Sequence, residues 1–443
     1  MNKYPTYKPS NIDWIGEIPT HWCLTKVKFE TSLVVDGTHF TPEYTDFGVP
    51  FLRVTDVQSK EIDFDSIKYI SEKEHLELTK RCKPQKGDLL LSKNGTIGKT
   101  KIVDWDWEFS IFVSLCLIRF KDSFDAKLFS FFFQSDIIDQ QLVESSKQST
   151  VTNLHLDKIR ELLLILPPLQ EQQAIVSYLD EKTALIDELI LKKERKIELL
   201  KEQRAALINQ AVTKGLDAKV AFKDSKIEWI GDIPEHWKCV PFKYIFKKEK
   251  DPIKTGPFGS HLKSTDLLEE GIKVYNQRTV YDEDFIKGEN YISAEKFKEL
   301  KGFEVFEGDI LITSRGTIGK CTIVPVGIEK GILHPCLIRF RINEVIISKP
   351  FVKLYINQST LFIESIKLDS NATTIEVIYS DTLKNTFIPL PPLSEQQAIV
   401  AYLDEQTTLI DKSIALESQK IEKLKEYRQS LISNVVTGKI CVA

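Results

Sequence analysis

The sequence predicts an α+β protein with two tandem, pseudo-symmetric globular domains, each followed by a long α-helix, and with the two helices packed as an antiparallel coiled coil. Three observations support this fold class. The chain repeats itself at about half its length, each repeat ends in a long stretch of helical periodicity, and the segments before those stretches are rich in strand-forming residues with helical patches. The predicted boundaries are 1–166 and 215–390 for the globular domains, and 167–214 and 391–440 for the helices.

Two motifs inside the globular domains each occur twice, in the same order. IDWIGEIPTHW at 12–22 returns as IEWIGDIPEHW at 227–237, and its tryptophans are expected to pack at the start of each domain. GDLLLSKNGTIGKTKIV at 87–103 returns as GDILITSRGTIGKCTIV at 308–324. The segments between these motifs share little. This contrast fits a common frame that holds two different reading surfaces, and it fits equally a tandem duplication that has drifted.

A third motif opens each predicted helix, because LPPLQEQQAIVSYLDEKTALID at 166–187 recurs almost unchanged at 390–411. The two prolines suit a helix start, and apolar residues then follow at heptad spacing. A helix of about 44 residues is about 65 Å long, which exceeds the width of a domain, so it is expected to run between domains as a strut. The alternative is two independent tails that form hairpins. The predicted coiled-coil seam consists of Ile186, Ile190, Ile197, Leu200, Leu207, Ile410, Ile414, Ile421, Leu424 and Leu431.

The glycine-rich segment NGTIGKT at 94–100 fails the pattern of a nucleotide-binding P-loop. That pattern requires glycine where this chain has Lys93, and the second copy has Ser314 at that position and Cys321 in place of the final Ser or Thr. Strand-like apolar runs flank the segment in both copies, so a hairpin turn is predicted. Its backbone amides and neighbouring cations could contact nucleic-acid phosphates, or the hairpin could be purely structural.

Composition and missing motifs exclude several classes of protein. With 60 Lys and Arg against 64 Asp and Glu, the net charge is −4, too small for a histone-like binder. The seven cysteines form no CxxC pair, so neither a disulfide framework nor a metal site is predicted, and reduced thiols in a cytoplasmic protein are expected. No apolar stretch approaches the roughly 18 residues of a membrane helix. Neither GxSxG nor HExxH occurs, nor does the Pro-Pro-aromatic loop of adenine methylation, so no catalytic residues are predicted.

The repeated motifs together closely resemble the DNA-specificity subunit of type I restriction-modification systems. The resemblance rests on LPPLxEQQAIVxYLD, GTIGK and WIGxIPxHW in both halves, with DGTHFTP at 36–42 and GPFGS at 256–260, and it covers essentially the whole chain. It implies that each variable region is a target recognition domain that reads one half of a bipartite double-stranded DNA site. It also implies that the coiled coil sets the spacer between the half-sites and docks two methyltransferase subunits.

The same resemblance implies that the chemistry lies in partner subunits. S-adenosylmethionine would belong to the methyltransferase subunits, and ATP and Mg to the restriction or translocase subunits that join them. This chain itself would then be non-catalytic and would bind no nucleotide and no methyl donor.

Candidate DNA contacts follow from the residue types in the segments that differ between the halves. Amides and arginines pair with adenine and guanine edges, although Arg53 or Arg278 could equally be a salt-bridged strand residue. The candidates for base readout are Asp36, Thr38, His39, Arg53, Gln148, Ser149, Asn276, Gln277, Arg278, Asn371 and Thr373. The candidates for phosphate contact are Lys93, Asn94, Lys99, Arg315 and Lys320.

Two other functions stay open from the sequence. A coiled-coil interaction scaffold with two divergent ligand-binding domains would need no DNA contact. A self-sufficient nuclease or methyltransferase is disfavoured by the missing motifs, and turnover by the purified chain alone would revive it.

Overall fold

The structure is a computed structural model of the chain, and it describes residues 3–59, 61–145, 153–258, 261–370 and 377–442. Contacts divide the chain into two compact units. The first unit consists of Met1–Glu194 together with Ser418–Ala443, and the second consists of Arg195–Glu417. Each unit combines one α+β globular part with a segment of both long helices, so the predicted tandem arrangement is confirmed. The domain boundaries drawn from the sequence stay a prediction.

The first unit contains twelve strands among its described residues, and the first long helix begins in it. The strands are β1 (Tyr7–Pro9), β2 (Glu17–Pro19), β3 (Cys23–Lys26), β4 (Thr31–Asp36), β5 (Tyr44–Thr45), β6 (Val49–Leu52), β7 (Lys68–Ile70), β8 (Leu89–Ser92), β9 (Thr100–Ile102), β10 (Ser110–Ile111), β11 (Leu115–Phe120) and β12 (Leu163–Leu166). The helices are α1 (Val27–Glu30), α2 (Glu72–Thr79), α3 (Ala126–Phe133), α4 (Asp136–Ser145), α5 (Leu156–Glu161) and the long α6 (Leu169–Lys214).

Two four-stranded sheets form the centre of the first unit. One is antiparallel with the order β4-β11-β8-β9, and the other has the order β10-β6-β7-β5 with a parallel β10–β6 pair. The strands β8 and β11 read LLLS and LCLIRF, and such continuous apolar runs are typical of strands covered on both faces. Helix α3, which reads AKLFSFFF, buries four of its phenylalanines beside the antiparallel sheet.

The second unit repeats most of these elements, with eleven strands among its described residues. Its strands are β13 (Phe222–Asp224), β14 (Asp232–Pro234), β15 (Lys238–Pro241), β16 (Ile253–Thr255), β17 (Ile272–Tyr275), β18 (Tyr291–Ile292), β19 (Ile310–Thr313), β20 (Cys321–Ile323), β21 (Gly331–Leu333), β22 (Leu337–Phe340) and β23 (Phe387–Leu390). Its helices are α7 (Gln277–Asp282), α8 (Ala294–Glu299), α9 (Lys349–Gln358), α10 (Thr360–Ser370), α11 (Ser380–Asn385) and the long α12 (Leu393–Val436), with single 3₁₀ turns at Phe242–Tyr244, Ser264–Asp266 and Lys301–Phe303.

The sheets of the second unit match those of the first in order. An antiparallel sheet runs β16-β22-β19-β20, and a smaller sheet runs β18-β17-β21 with β17 and β21 parallel. In both units a two-stranded sheet brings the strand after the first repeated motif to the strand before the long helix, as β3–β12 and as β15–β23. The repeated motifs therefore build the same frame twice.

A buried glutamine fixes the first turn of each long helix. Gln172 Oε1 accepts a hydrogen bond from Asp125 N at 2.8 Å, and its Nε2 donates to Ser123 O at 3.0 Å and Pro167 O at 2.9 Å. Gln396 makes the equivalent bonds, accepting from Ser348 N at 2.8 Å and donating to Ile346 O at 2.9 Å and to Pro391 O at 2.8 Å. A buried amide that loses water must find such partners. The second glutamine of EQQ at 171–173 and 395–397 is the exposed one.

The tryptophans of the first repeated motif lie at the ends of the long helices. Trp22 and Trp237 are fully buried, whereas Trp14 and Trp229, the other two tryptophans of the motif, are half-buried. The glycine that follows α12 packs against the first indole, since a Cβ on Gly438 would lie 2.8 Å from Trp22. The glycine that follows α6 does the same in the second unit, where a Cβ on Gly215 would lie 3.1 Å from Trp237. Each indole thus rests on a helix end whose glycine has positive φ.

All ten predicted seam residues lie inside the long helices and none is exposed. The buried ones are Ile186, Ile190, Ile410, Ile421 and Leu431, and the half-buried ones are Ile197, Leu200, Leu207, Ile414 and Leu424. One charged residue shares this environment, because Glu417 is only 4% exposed and accepts a hydrogen bond from Lys196 Nζ at 3.0 Å. Among the described residues, no helix is both long enough and apolar enough to cross a bilayer.

Candidate functional site

The two GTIGK segments form hairpin turns at equivalent corners of the two antiparallel sheets. The first connects β8 to β9 and the second connects β19 to β20, which confirms the predicted hairpins. The four glycines of these turns have positive φ, between 69° and 86°, a backbone conformation that residues other than glycine rarely adopt. They are Gly95, Gly98, Gly316 and Gly319. Ser92 Oγ accepts a hydrogen bond from Lys99 N at 2.8 Å in the first turn, and Thr313 Oγ1 accepts from Lys320 N at 3.0 Å in the second.

Two further segments lie beside each turn. The chain that follows residues 146–152 pairs with the first turn, where Leu154 N donates to Lys93 O at 2.8 Å, and Ile378 N donates to Ser314 O at 2.8 Å in the second. The other segment is the loop after β4 or β16, which starts at Gly37 or Gly256. A Cβ on either glycine would lie about 2 Å from a backbone oxygen, 2.0 Å for Gly37 and 2.1 Å for Gly256. Only glycine permits these loops to lie so close to the neighbouring backbone.

An ion-pair cluster occupies this corner of the first unit. The buried Asp36 accepts hydrogen bonds from Lys93 Nζ at 3.1 Å and from Arg81 Nη2 at 2.5 Å, and its Oδ2 lies 3.1 Å from His39 Nε2. Burial would raise the pKa of Asp36, but the hydrogen bond and charge of Lys93, together with His39, hold that pKa below its ordinary value. The cluster fixes the loop that carries His39 against the turn that follows Lys93.

Lys93 is therefore placed unfavourably for the phosphate contact that the sequence suggested. It is 5% exposed, and its ammonium group forms an ion pair with Asp36. Lys99, at the other end of the same turn, is exposed and has no carboxylate partner among the described residues. Asn94 is half-buried, and its Oδ1 has no hydrogen-bond partner in the described part of the chain. Of the first turn's candidates, Lys99 is thus the cation accessible to a phosphate.

The remaining base-readout candidates of the first unit differ in exposure. His39 projects from the loop with 59% of its side chain exposed. Thr38 is buried and donates to Phe40 O at 3.3 Å. Arg53 forms a closed pair with Asp56, donating from Nε at 3.0 Å and from Nη2 at 2.9 Å, and this pairing raises the pKa of Arg53. Of the two roles that the sequence allowed for Arg53, base readout or a salt bridge, the structure shows the salt bridge.

The second unit places an arginine where the first has Asn94. Arg315 is exposed, and its guanidinium lies 5.6 Å from the centroid of the Phe258 ring. No carboxylate partner of Arg315 occurs among the described residues, so its charge is available to a ligand. Lys320 ends the same turn and is half-buried. The positions of Asp36 and Lys93 are taken here by the neutral Thr255 and Ser314.

The polar residues at 276–278 lie next to this turn. Asn276 caps α7, since its Oδ1 accepts a hydrogen bond from Thr279 N at 3.2 Å. Gln277 Nε2 donates to the backbone oxygen of Arg315. Arg278 pairs with Glu289 and with Asp282, which raise its pKa. Gln277 therefore joins the site, whereas Arg278 again has the salt-bridged environment that the sequence allowed.

Four candidates fall outside the described residues: Gln148, Ser149, Asn371 and Thr373. Two residues of the site were missed by reasoning from the sequence. Phe258 occupies the same place after β16 that His39 occupies after β4, a correspondence visible only when DGTH is set beside TGPF. Arg81, which bonds to Asp36, carried no signal because it lies far from that residue in the chain.

The site has no arrangement for metal chemistry among the residues that the structure covers. No group of three or more His, Cys, Asp and Glu side chains is placed there to hold a metal ion. The two corners share a backbone frame and differ in charge: an internally neutralised cluster beside one exposed lysine in the first unit, and an arginine over an aromatic ring in the second. Such surfaces suit contacts with an anionic polymer. The contacts would lie at equivalent positions in the two units and would be made by different side chains.

Comparison with known proteins agrees with this arrangement of two copies. Residues 38–200 and 234–426 match the type I restriction modification DNA specificity domain family. The EcoKI type I restriction enzyme specificity subunit of Escherichia coli is 18% identical over 438 residues, which cover 96% of this chain and 90% of that protein. The MjaVIII type I restriction enzyme specificity subunit of Methanocaldococcus jannaschii is 27% identical over 297 residues, which cover 65% of each.

The fold is also similar to that of a solved structure. A chain in a study of the assembly and conformational transition of the type I R-M system superposes with a TM-score of 0.69 and 18% identity, over 96% of this chain and 99% of that chain. At this identity the likeness shows the fold.

Proposed function

Because the chain belongs to the family of type I restriction-modification DNA specificity subunits, we propose that each globular part is a target recognition domain that reads one half of a bipartite double-stranded DNA site. The observation that carries the proposal is the match of the family to both repeats, with the side chains at the two equivalent hairpin corners unlike each other. An invariant frame with different contact residues gives two readers of different sequence.

The DNA contacts fall on the accessible side chains of the two corners. In the first domain these are His39 and Lys99, with Asn94 at the turn. In the second domain they are Arg315 and Lys320, with Gln277 beside them. An arginine whose guanidinium lies over an aromatic ring keeps N–H donors free for a guanine or a phosphate. Asp36 and Lys93 support the first of these corners through their ion pair, whereas Arg53 and Arg278 are bound by carboxylates of their own and are not assigned to DNA contact.

The two long helices act as an antiparallel coiled coil that sets the spacer between the half-sites. Their ion pairs support this arrangement. Asp187, early in α6, pairs with Arg428, late in α12, at 2.8 Å. Arg204, late in α6, pairs with Asp411, early in α12, at 3.1 Å. In both pairs, a residue nearer the start of one helix contacts a residue nearer the end of the other. Antiparallel helices make contacts in this order.

The catalytic work lies in partner subunits, and this chain is non-catalytic. It docks two methyltransferase subunits, which carry S-adenosylmethionine, and restriction or translocase subunits that use ATP and Mg join the complex. The complex acts on DNA in the cytoplasm. Support comes from the names of the relatives, which are specificity subunits of type I restriction enzymes, and from the similar chain in the study of the assembly of such a system.

Methylation mapping tests the function. The full chain is expressed with its neighbouring methyltransferase subunit in a host that lacks adenine methylation, and N6-methyladenine is mapped by long-read sequencing. One bipartite motif, methylated on both strands, is the expected result. An assembled complex that methylates nothing would favour the alternative, an interaction scaffold whose two domains bind ligands other than DNA.

A further inference from the structure

One arginine of each long helix joins that helix to two other elements. In the first unit, Arg428 Nε and Nη2 donate to the carboxylate of Asp187 at 2.8 and 3.2 Å. Its Nη1 donates to Gln134 Oε1 at 2.9 Å, and Gln134 is the C-cap residue directly after α3. Arg428 is half-buried, with 26% of its side chain exposed. A single guanidinium therefore connects α12, α6 and the end of α3.

The second unit contains the same junction with equivalent residues. Arg204 Nε donates to Asp411 Oδ1 at 3.1 Å, and its Nη2 donates to Gln358 Oε1 at 3.4 Å. Gln358 is the last residue of α9, the counterpart of α3. Each unit makes these bonds internally, so the arrangement occurs twice in independent surroundings.

A second set of bonds holds the turn after the same short helix. In the first unit, Asp136 N donates to Ser433 Oγ at 3.2 Å, and Gln429 Nε2 donates to Asp136 Oδ1 at 2.5 Å. In the second unit, Thr360 N donates to Asn209 Oδ1 at 3.1 Å. The long helix is thus hydrogen-bonded to both the end of the short helix and the start of the next helix. These bonds restrict movement of the turn between the two.

The short helix in turn contacts the hairpin turn of its own unit. In the first unit, Phe133 lies next to Gln134 and packs on the turn, where a Cβ on Gly98 would be 3.4 Å from its ring. In the second unit, Asn357 lies next to Gln358 and exchanges two hydrogen bonds with Cys321, the residue after the turn, at 2.7 and 2.8 Å. In both units, the residue adjacent to the arginine's glutamine partner contacts the hairpin.

We propose that Arg428 and Arg204 are positioning residues for the two recognition hairpins, and that each acts on the hairpin encoded in the opposite half of the chain. Arg428 lies in the second repeat and positions the turn at 94–99, whereas Arg204 lies in the first repeat and positions the turn at 315–320. The inference rests on the proposed function, because positioning matters only if these turns contact DNA.

The physical reason is the geometry of the guanidinium group. Its donors form a planar fork that can bind a carboxylate with one edge and an amide oxygen with another, which a lysine ammonium cannot do in the same fixed way. Without it, the carboxylate on the other long helix and the glutamine at the end of the short helix lose a half-buried partner, and the helix end can shift. Recognition groups displaced by about 1 Å no longer meet base edges or phosphates at hydrogen-bond distance.

The test uses the full chain, co-expressed with its methyltransferase subunit, and compares Arg428→Gln with Arg204→Gln. The measurement is the fraction of genomic sites methylated despite one mismatched base pair, scored separately for the two half-sites. Each substitution is expected to raise mismatch methylation in one half-site about tenfold and to leave the other half-site unchanged. The half-site relaxed by Arg428→Gln should be the one relaxed by His39→Ala, and the half-site relaxed by Arg204→Gln the one relaxed by Gln277→Ala, because these are the base-readout candidates at the two turns.

Matched variants separate positioning from general damage. Arg428→Lys keeps the charge and loses the fork, so an intermediate relaxation of the same half-site is expected. Arg195→Gln removes an exposed arginine of α6 whose partners, Glu198 and Glu202, lie on the same helix, and wild-type selectivity is expected. Loss of stability alone would lower methylation at both half-sites together.

Three results would overturn the inference while leaving the proposed function standing: relaxation of both half-sites by one substitution, relaxation of neither, or relaxation of the half-site read by the same repeat as the arginine. Each presupposes a wild-type complex that methylates one bipartite motif. An assembled wild-type complex without any methylation would instead overturn the proposed function, and this inference with it.

Discussion

The carboxylate of Glu171 accepts a hydrogen bond at 3.0 Å from the indole Nε1–H of the buried Trp22, and this bond joins two motifs that stand 149 residues apart in the chain. The other carboxylate oxygen lies 2.7 Å from His21 Nε2. Glu395 is placed in the same way, at 3.0 Å from Trp237 and 2.7 Å from His236. The repeated WIGxIPxHW and LPPLxEQQ motifs are thus two parts of one joint at the start of each long helix.

The Trp22–Glu171 bond is expected to stabilise the first unit. Trp22→Phe keeps an aromatic ring and removes the donor, so the free energy of unfolding should fall by about 1–2 kcal/mol. Thermal melts of Trp22→Phe, Glu171→Gln and the double variant measure this coupling. If the two single losses simply added in the double variant, the hydrogen bond would contribute nothing of its own. Trp237→Phe is the matched variant in the second unit and should behave alike.

Replacing Asp36 with Asn should destabilise the first unit because Lys93 would stay buried without its counter-charge. The expected loss is about 3 kcal/mol, the range found when one partner of a buried ion pair is removed. Chemical denaturation of wild type and Asp36→Asn gives the value. Lys80→Met, which removes an exposed lysine paired only to Glu77 on the surface, is the control and should change little.

This contribution of Asp36 depends on pH in a defined direction. Its folded pKa lies below its ordinary value of 3.8, so the stabilisation is fully present above about pH 4 and is lost as the pH falls through the lowered folded pKa. The difference in melting temperature between wild type and Asp36→Asn should therefore be constant from about pH 5 to pH 7 and shrink below about pH 4. A difference that grew on acidification would contradict the assigned charge state.

Removing Arg315 should weaken DNA binding by the assembled complex. Arg315→Ala is expected to reduce the affinity for duplex DNA roughly tenfold, since one unpaired cation at the turn is lost. If the contact is to phosphate, a plot of the logarithm of the binding constant against the logarithm of the salt concentration should also become less steep, by about one unit of slope. Arg278→Ala is the matched control, because that guanidinium is already bound by Asp282 and Glu289. A larger effect from Arg278→Ala than from Arg315→Ala would refute the assignment.

The coiled-coil seam should be required for recognition of both half-sites together. Ile197→Asp combined with Ile421→Asp places carboxylates among packed apolar side chains and should cost at least about 3 kcal/mol. Helical circular dichroism during melting and methylation of the bipartite motif are the measurements. The exposed Leu199 and Leu416, at 48% and 51% exposure, supply the control double variant Leu199→Asp with Leu416→Asp. Equal damage by both double variants would argue against the assigned seam.

Gly37 should tolerate no side chain. A Cβ there would lie 2.0 Å from the backbone oxygen of Ile111, so Gly37→Ala must displace the backbone beside the first recognition turn and lower the unfolding free energy by about 2 kcal/mol or more. Gly302→Ala is the control, since a Cβ on Gly302 would have no described atom within 4 Å and the φ of this residue is not in the left-handed region. Melting temperatures of the two variants measure the difference.

Much of the fold could be predicted because its signals are local and repeated. The hairpins at GTIGK and the helices that follow the double prolines are predicted from short-range patterns, and the structure contains both. The coiled-coil seam stays a prediction. The site was less predictable. Arg53 and Arg278 have the residue type of base readers, yet Asp56 and Glu289 bind them, and a sequence pattern carries no distance between a cation and a carboxylate.

The sequence alone determined that the protein is a tandem duplication with two long helices, that its two variable surfaces differ, and that it resembles the DNA-specificity subunits. These properties depend on the order and spacing of neighbouring residues. Only the tertiary structure decided that Lys93 is neutralised by Asp36, that Arg315 is left free over Phe258, and that Arg428 contacts Gln134 in the opposite half of the chain. Such contacts join residues from distant parts of the chain, and only the packing of the folded chain determines which charges meet and which remain available to a ligand.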